Sequence, residues 1–252
     1  MTSARFIGGG AREVLGSGEL GQVIAWFPRA CYAAFPAGLL VLVGEGVHPG
    51  PLYVGIEGDL PRVPVGDPVG VGMDRVSLGG VEVRVGDRTW RGWTPRPEQM
   101  EAAASVAASA AEEAGERSLL DPGARAAAEQ ALLAGDVEAA ARALEGRGPG
   151  LTPSGDDALA GILFARRLLG GLGAEHELLP IAERAASSPI SRGFATWAAR
   201  GQALAPAHRL VAASVAGDAG GARRAARVLT LVGESSGADF CAGMALGLRA
   251  VA

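Results

Sequence analysis

Gly146-Arg147-Gly148-Pro149-Gly150-Leu151-Thr152-Pro153-Ser154-Gly155-Asp156-Asp157 runs directly into the apolar stretch Ala158–Ala165. Three glycines and two prolines fix a loop, small hydroxyls line its exit, and two carboxylates sit where a helix must begin. A weaker copy follows. Ser154-Gly155-x-Asp157-x-x-Ala160-Gly161 matches Ser236-Gly237-x-Asp239-x-x-Ala242-Gly243 at one constant offset (236 − 154 = 82). The pattern predicts two related helical halves rather than a solenoid, since only the loop and the helix start recur. The Ala-Gly pairs one to two turns along would let the two helices approach closely and bring both loops to one cleft.

Outward from that loop the chain divides into two textures. Residues 1–93 hold eight of the twelve aromatics, together with short apolar runs at Gln22–Phe27, Leu39–Val43, Leu52–Ile56 and Val81–Val85, broken by Gly and Pro. Short strands at this spacing predict a small β-barrel or sandwich. Thr94-Pro95-Arg96-Pro97 marks a boundary, because proline restricts both itself and its predecessor. From Glu98 onward the chain is Ala-rich, and Gly and Pro separate helices expected at 98–116, 123–134, 136–145, 155–170, 175–187, 191–203, 206–216, 219–232 and 237–250. The expected class is therefore α+β, with a β-rich domain over 1–95 and an α-helical domain over 96–252 that carries both Ser-Gly-x-Asp loops.

Composition narrows the chemistry. All 23 basic residues are arginine, so Schiff-base chemistry and a phosphate-loop lysine are excluded. A net charge of −4 gives no footprint for nucleic acid. No apolar run is long enough to span a bilayer, so no membrane partner is expected. Cys31 and Cys241 are the only thiols, which points to a reducing cytoplasm, and no amino-terminal export signal is apparent.

Two readings of the central loop compete. Ser154-x-x-Asp157 and Ser236-x-x-Asp239 both fit a capping box, in which Ser accepts from the third helical amide and the acid reaches back. Capping requires neither the Gly-rich approach nor the second carboxylate. A functional loop would use both. A glycine-rich turn feeding a helix amino terminus directs unpaired amides and positive dipole at one spot, where phosphates and carboxylates bind. Asp156 and Asp157 would oppose such an anion unless a divalent cation bridged them, or unless they accepted hydrogen bonds from the NH groups of an amide or carbamoyl group. The expected ligand is a small molecule with an anionic end, an amide end, or both.

The run Gly150-Leu151-Thr152-Pro153-Ser154-Gly155-Asp156-Asp157, with Ala160-Gly161 after it, resembles the signature of the AllH-like family, and Ser235 to Asp239 resembles that family's looser second motif. The resemblance is expected to extend from about residue 20 to 250. It implies a subunit of a multi-component oxamate carbamoyltransferase of allantoin catabolism. The reaction implied is transfer between carbamoyl phosphate and an amide such as oxamate, in nitrogen or purine-ring catabolism and with other subunits as partners.

The candidate set follows. Asp156 and Asp157 are the catalytic candidates. Arg147, Gly150, Thr152, Ser154, Gly155, Ser235, Ser236, Gly237, Asp239 and the turn residue His48 are the substrate-binding candidates. No cofactor is expected, Mg²⁺ being the one alternative, with the metal ligands left open. Ser154 has no histidine nearby in sequence to activate it, Arg166-Arg167 reads as a solvated helix face, and Ser191 reads as a helix cap. Phe6-Ile7-Gly8-Gly9-Gly10 is too weak a pattern for a dinucleotide loop. The rival functions are a non-catalytic module that binds a small anion or amide or scaffolds its partners, and a metal-assisted hydrolase using Asp156, Asp157 and Asp239.

Overall fold

The computed structural model describes residues 2–249. They form two compact units that divide between Gly92 and Trp93. Unit one is a closed barrel. Its strands are β1 (Thr2–Gly8), β2 (Leu20–Phe27), β3 (Ala30–Phe35), β4 (Gly38–Val43), β5 (Tyr53–Ile56), β6 (Pro68–Gly72), β7 (Arg75–Leu78) and β8 (Val81–Arg84). They run in the order β5-β4-β3-β2-β6-β7-β8-β1, and β1 pairs back onto β5 to close the ring. Closure removes the exposed sheet edge that an open sandwich would leave, so the barrel alternative is the one adopted. A short β9 (Thr89–Trp90) adds to β1.

The sequence pattern shows why the barrel closes inward. β3 alternates buried and half-buried residues, with Cys31, Ala33 and Phe35 facing in, as a half-buried strand should. In β4 every residue after Gly38 is buried. The helix α1 (Gly9–Ser17), not foreseen from sequence, adds Ala11, Val14 and Leu15 to the same core as Ile7, Leu40 and Val54. Its first amides, those of Gly10 and Ala11, donate to the Pro51 carbonyl at 2.8 and 3.1 Å. The Gly8-Gly9-Gly10 turn is thus filled by the chain itself.

Unit two is all helix: α2 (Pro97–Gly115), α3 (Pro122–Leu133), α4 (Val137–Leu144), α5 (Ser154–Ala185), α6 (Pro189–Ala199), α7 (Ala205–Val215), α8 (Ala219–Leu229) and α9 (Ser236–Arg249). α5 breaks at Gly171, where φ is 62° and ψ is −157°, so it comprises the two helices expected on either side of residues 171–174. Its core is made largely of alanine with Leu, Ile and Phe164. Small side chains let helices pack closely, and the apolar area comes from many short contacts rather than a few large ones. No described helix is long and apolar enough to cross a membrane.

The repeat extends further than the loop and helix start. Ala134-Gly135-Asp136 recurs as Ala216-Gly217-Asp218, and each Asp caps its helix alike: Asp136 accepts from the Ala139 amide and Asp218 from the Gly221 amide, both at 2.7 Å. The unit α3-α4-α5 is therefore matched by α7-α8-α9. The two halves meet where α5 crosses α9. A Cβ on Gly161 would lie 2.1 Å from the Phe240 carbonyl oxygen, and a Cβ on Gly243 would lie 1.8 Å from that of Ala158. These contacts are reciprocal within the repeat register, so the crossing lies on a local pseudo-two-fold axis.

Candidate functional site

Both repeat loops are built on one backbone device. The amide of Gly155 donates to the Arg147 carbonyl at 2.8 Å, and that of Gly237 donates to the Val232 carbonyl at 3.1 Å. Either glycine would drive a Cβ into backbone, at 1.9 Å from the Leu144 oxygen and 1.8 Å from the Leu229 oxygen. Each loop thus folds back onto the helix before it, and each delivers a Ser and an Asp to the start of a helix at the α5–α9 crossing. The Thr152 and Ser236 hydroxyls, one from each loop, lie 3.1 Å apart. The two loops meet, as expected from their shared register.

The capping-box reading does not hold. Pro153, not Ser154, precedes α5, and no side chain caps that end. Ser154 is the first helical residue and is buried. The amides of Asp156 and Asp157 donate to the Pro153 carbonyl at 2.9 and 3.1 Å. With Gly155 bonded to Arg147, three amides at the helix start are consumed by the chain. The expected cradle of free amides for an anion is corrected on that ground. Arg147 and Gly150 are exposed, and Arg147 serves the loop through its backbone.

The two adjacent carboxylates have different tasks. Asp156 is 2% exposed. One of its oxygens accepts from the Gly146 amide at 2.8 Å, and the other from both the amide (3.1 Å) and the hydroxyl of Ser187. It is a clamp that ties the loop entrance and the α5–α6 turn to the helix start, with both oxygens engaged. Ser188, which caps α6 through the Ser191 amide, holds the loop from the same turn by donating to the Leu151 carbonyl at 3.0 Å. Ser191, expected to be the cap, is instead capped.

Asp157 has no such set of donors. Burial pushes its carboxyl up to about 7, the Ser236 and Thr152 hydroxyls counter part of that shift, and the charges of Asp239 and Asp156 add to it. Its Oδ2 is buried and without a partner. Asp239 is completely buried. Its Oδ1 accepts from the Ser118 hydroxyl at 2.6 Å and the Leu119 amide at 2.9 Å, while its Oδ2 is also unpartnered. A buried carboxylate oxygen without a donor is costly. Two of them lie at this crossing, one on each symmetry-related helix.

Ser235 holds α9 through its carbonyl, which accepts from the Asp239 amide at 2.9 Å. His48 is half-buried between β4 and β5 of the barrel unit. Ser118, Ser187 and Ser188 were missed from sequence. Their one local signal is a serine beside a proline-initiated helix, Ser118 four residues before Pro122 and Ser188 directly before Pro189. Arg166 and Arg167 are not a solvated face. Arg167 is buried and pairs with Glu175 at 3.3 Å, and one Arg166 guanidinium nitrogen is buried without a partner. No group of three or more His, Cys, Asp and Glu side chains is arranged to hold a metal ion among the described residues. With both oxygens of Asp156 engaged, the three-aspartate metal set does not assemble.

No curated protein and no solved structure matches the chain. A family model does. It covers α5 to α9 and both loops, a narrower span than residues 20–250, and leaves out the barrel, α2, α3 and all of α4 but its last residue. Over residues 144–248 the chain is similar to the family described as oxamate carbamoyltransferase subunit AllH.

Proposed function

We propose that the chain is a subunit of a carbamoyltransferase-type enzyme that binds oxamate or a related amide or ureido acid, with carbamoyl phosphate as the carbamoyl donor. It works with other subunits in the cytoplasm, in nitrogen or purine-ring catabolism. The observation that carries the reading is the buried pair Asp157–Asp239, set where the two loops within the family match meet. Each unpartnered oxygen can accept from an NH₂ group, and a protonated Asp157 can instead donate to a carbonyl. Thr152 and Ser236 supply hydroxyls that can act in either sense. Such a site recognises an amide by hydrogen bonding and needs no nucleophile of its own.

The consumed amides at the start of α5 favour a second reading, in which this subunit holds the amide end of the ligand and a partner subunit holds the phosphate. The test is carbamoyl transfer from carbamoyl phosphate to oxamate, followed as phosphate release, with the subunit alone and with its partners. Activity only in the assembly, lost in Asp157→Asn, supports the proposal. Full activity of Asp157→Asn in the assembly contradicts it. Addition of Mg²⁺ or EDTA to the same assay decides whether a cation takes part.

A further inference from the structure

Asp157 and Asp239 each bury an unpartnered oxygen, yet no ligand can use an oxygen that is sealed from solvent. What covers Asp157 is specific. Thr152 and Ser236 are both half-buried, both hydroxyls reach its carboxyl, and they bridge to each other at 3.1 Å. One comes from the glycine-rich loop and the other from the first residue of α9, so this bridge is the seam between the two repeat halves. The loop is fastened at its start by Asp156 to Gly146 and near its end by Ser188 to Leu151. Between those points lie Gly148 and Gly150, at φ 104° and 102°. Only glycine takes up such angles readily, and it can leave them as readily. Thr152 follows directly after this stretch.

We infer that the Thr152–Ser236 hydroxyl bridge is a gate over Asp157 of the acid pair, opened by movement of the loop 148–152 with release of the Ser188–Leu151 hydrogen bond, and that the incoming ligand replaces the bridge with NH donors of an amide-type group. This rests on the proposed function for the class of ligand but not for the gate. The pair would otherwise keep two acceptor oxygens buried and idle, which native proteins seldom tolerate. The ligand's NH₂ group gives them partners at the moment the hydroxyl bridge is given up.

The gate is testable without any substrate. A water-soluble carbodiimide with glycine ethyl ester converts reachable carboxyls to amides, and peptide mass spectrometry reads the rate at Asp157. In the wild type, labelling of Asp157 is expected to be slow beside that of exposed Asp121, yet complete over hours. The double variant Thr152→Cys/Ser236→Cys closes the seam as a disulfide when oxidised. Cys31 and Cys241 are buried and do not compete. The oxidised form should label Asp157 at least tenfold more slowly, and reduction should restore the rate. Thr152→Ala/Ser236→Ala, with the bridge deleted, should label severalfold faster than the wild type. Equal rates in the locked and reduced forms, failure of the disulfide to form in the folded protein, or no labelling of native Asp157 would each overturn the gate. A normal gate with no carbamoyl transfer in the full assembly would overturn only the proposed function.

Discussion

Asp156 and Asp157 are neighbours in sequence but differ in what surrounds them, and that difference predicts opposite behaviour on substitution. Asp156→Asn puts an amide NH₂ group against donors that Gly146 and Ser187 already direct at it. A loss of about 1–3 kcal/mol is expected, the usual size for a broken buried hydrogen-bond set, which at this chain length lowers Tm by roughly 2–4 °C per kcal/mol. Asp157→Asn removes a carboxyl that burial makes unfavourable to ionise. At pH 8 its melting temperature should equal or exceed that of the wild type.

The pH dependence follows from the same group. Asp157 titrates near 7 when folded, against 3.8 for the free side chain. Between those values the folded state holds a proton that the unfolded state has released, so stability falls as pH rises from about 4 to about 7, by a few kcal/mol in all. His208 acts in the other sense. Its ring is buried, its Nδ1 contacts the Trp93 carbonyl at 2.8 Å, and its Nε2 accepts from the Ala203 amide, so burial lowers its pKa. Its share of stability is present above about 6.5 and is lost as pH falls towards its lowered folded value. Subtracting the Asp157→Asn stability profile from that of the wild type, by urea melts across pH 4–8, isolates the Asp157 slope. A flat difference would contradict the assignment.

At the scale of elements, the α5–α9 crossing is what brings the two acids together. Gly161→Ala and Gly243→Ala each place a methyl group about 2 Å from a carbonyl oxygen of the other helix. The helices must separate, at a cost of at least 1–3 kcal/mol, and the Thr152–Ser236 bridge should open with them. Melting and Asp157 labelling should change together in both variants, and a lower Tm with unchanged labelling would uncouple crossing from site. This crossing was legible in sequence because Ala-Gly recurs at a fixed offset, and the helices were legible because Gly and Pro punctuate them. The wider repeat went unseen, since Ala134-Gly135-Asp136 and Ala216-Gly217-Asp218 look like ordinary turns until both are seen to cap equivalent helices. The split between Asp156 and Asp157 was not legible either. It depends on Ser187 and Ser236, which are remote in sequence, and on amides whose partners only the folded loop defines.

At the scale of the whole molecule, the barrel and the helical unit differ in how plainly their elements show in the sequence. β2, β4, β5 and β8 stand out as β-branched runs, whereas β3, with Ala30, Ala33 and Ala34, carries too little apolar contrast to show its alternation. α1 hides among glycines. The family match lies wholly within the helical unit, so that unit carries the functional proposal and the barrel carries none of it. On the proposed function, the ligand sits at the acid pair where the two loops join. Calorimetric titration of oxamate into the protein assembled with its partner subunits, wild type beside Asp157→Asn, tests it most directly. Asp157→Asn should bind oxamate at least tenfold more weakly, or by about 1.4 kcal/mol, at an undiminished Tm. An unchanged Kd in Asp157→Asn would contradict it.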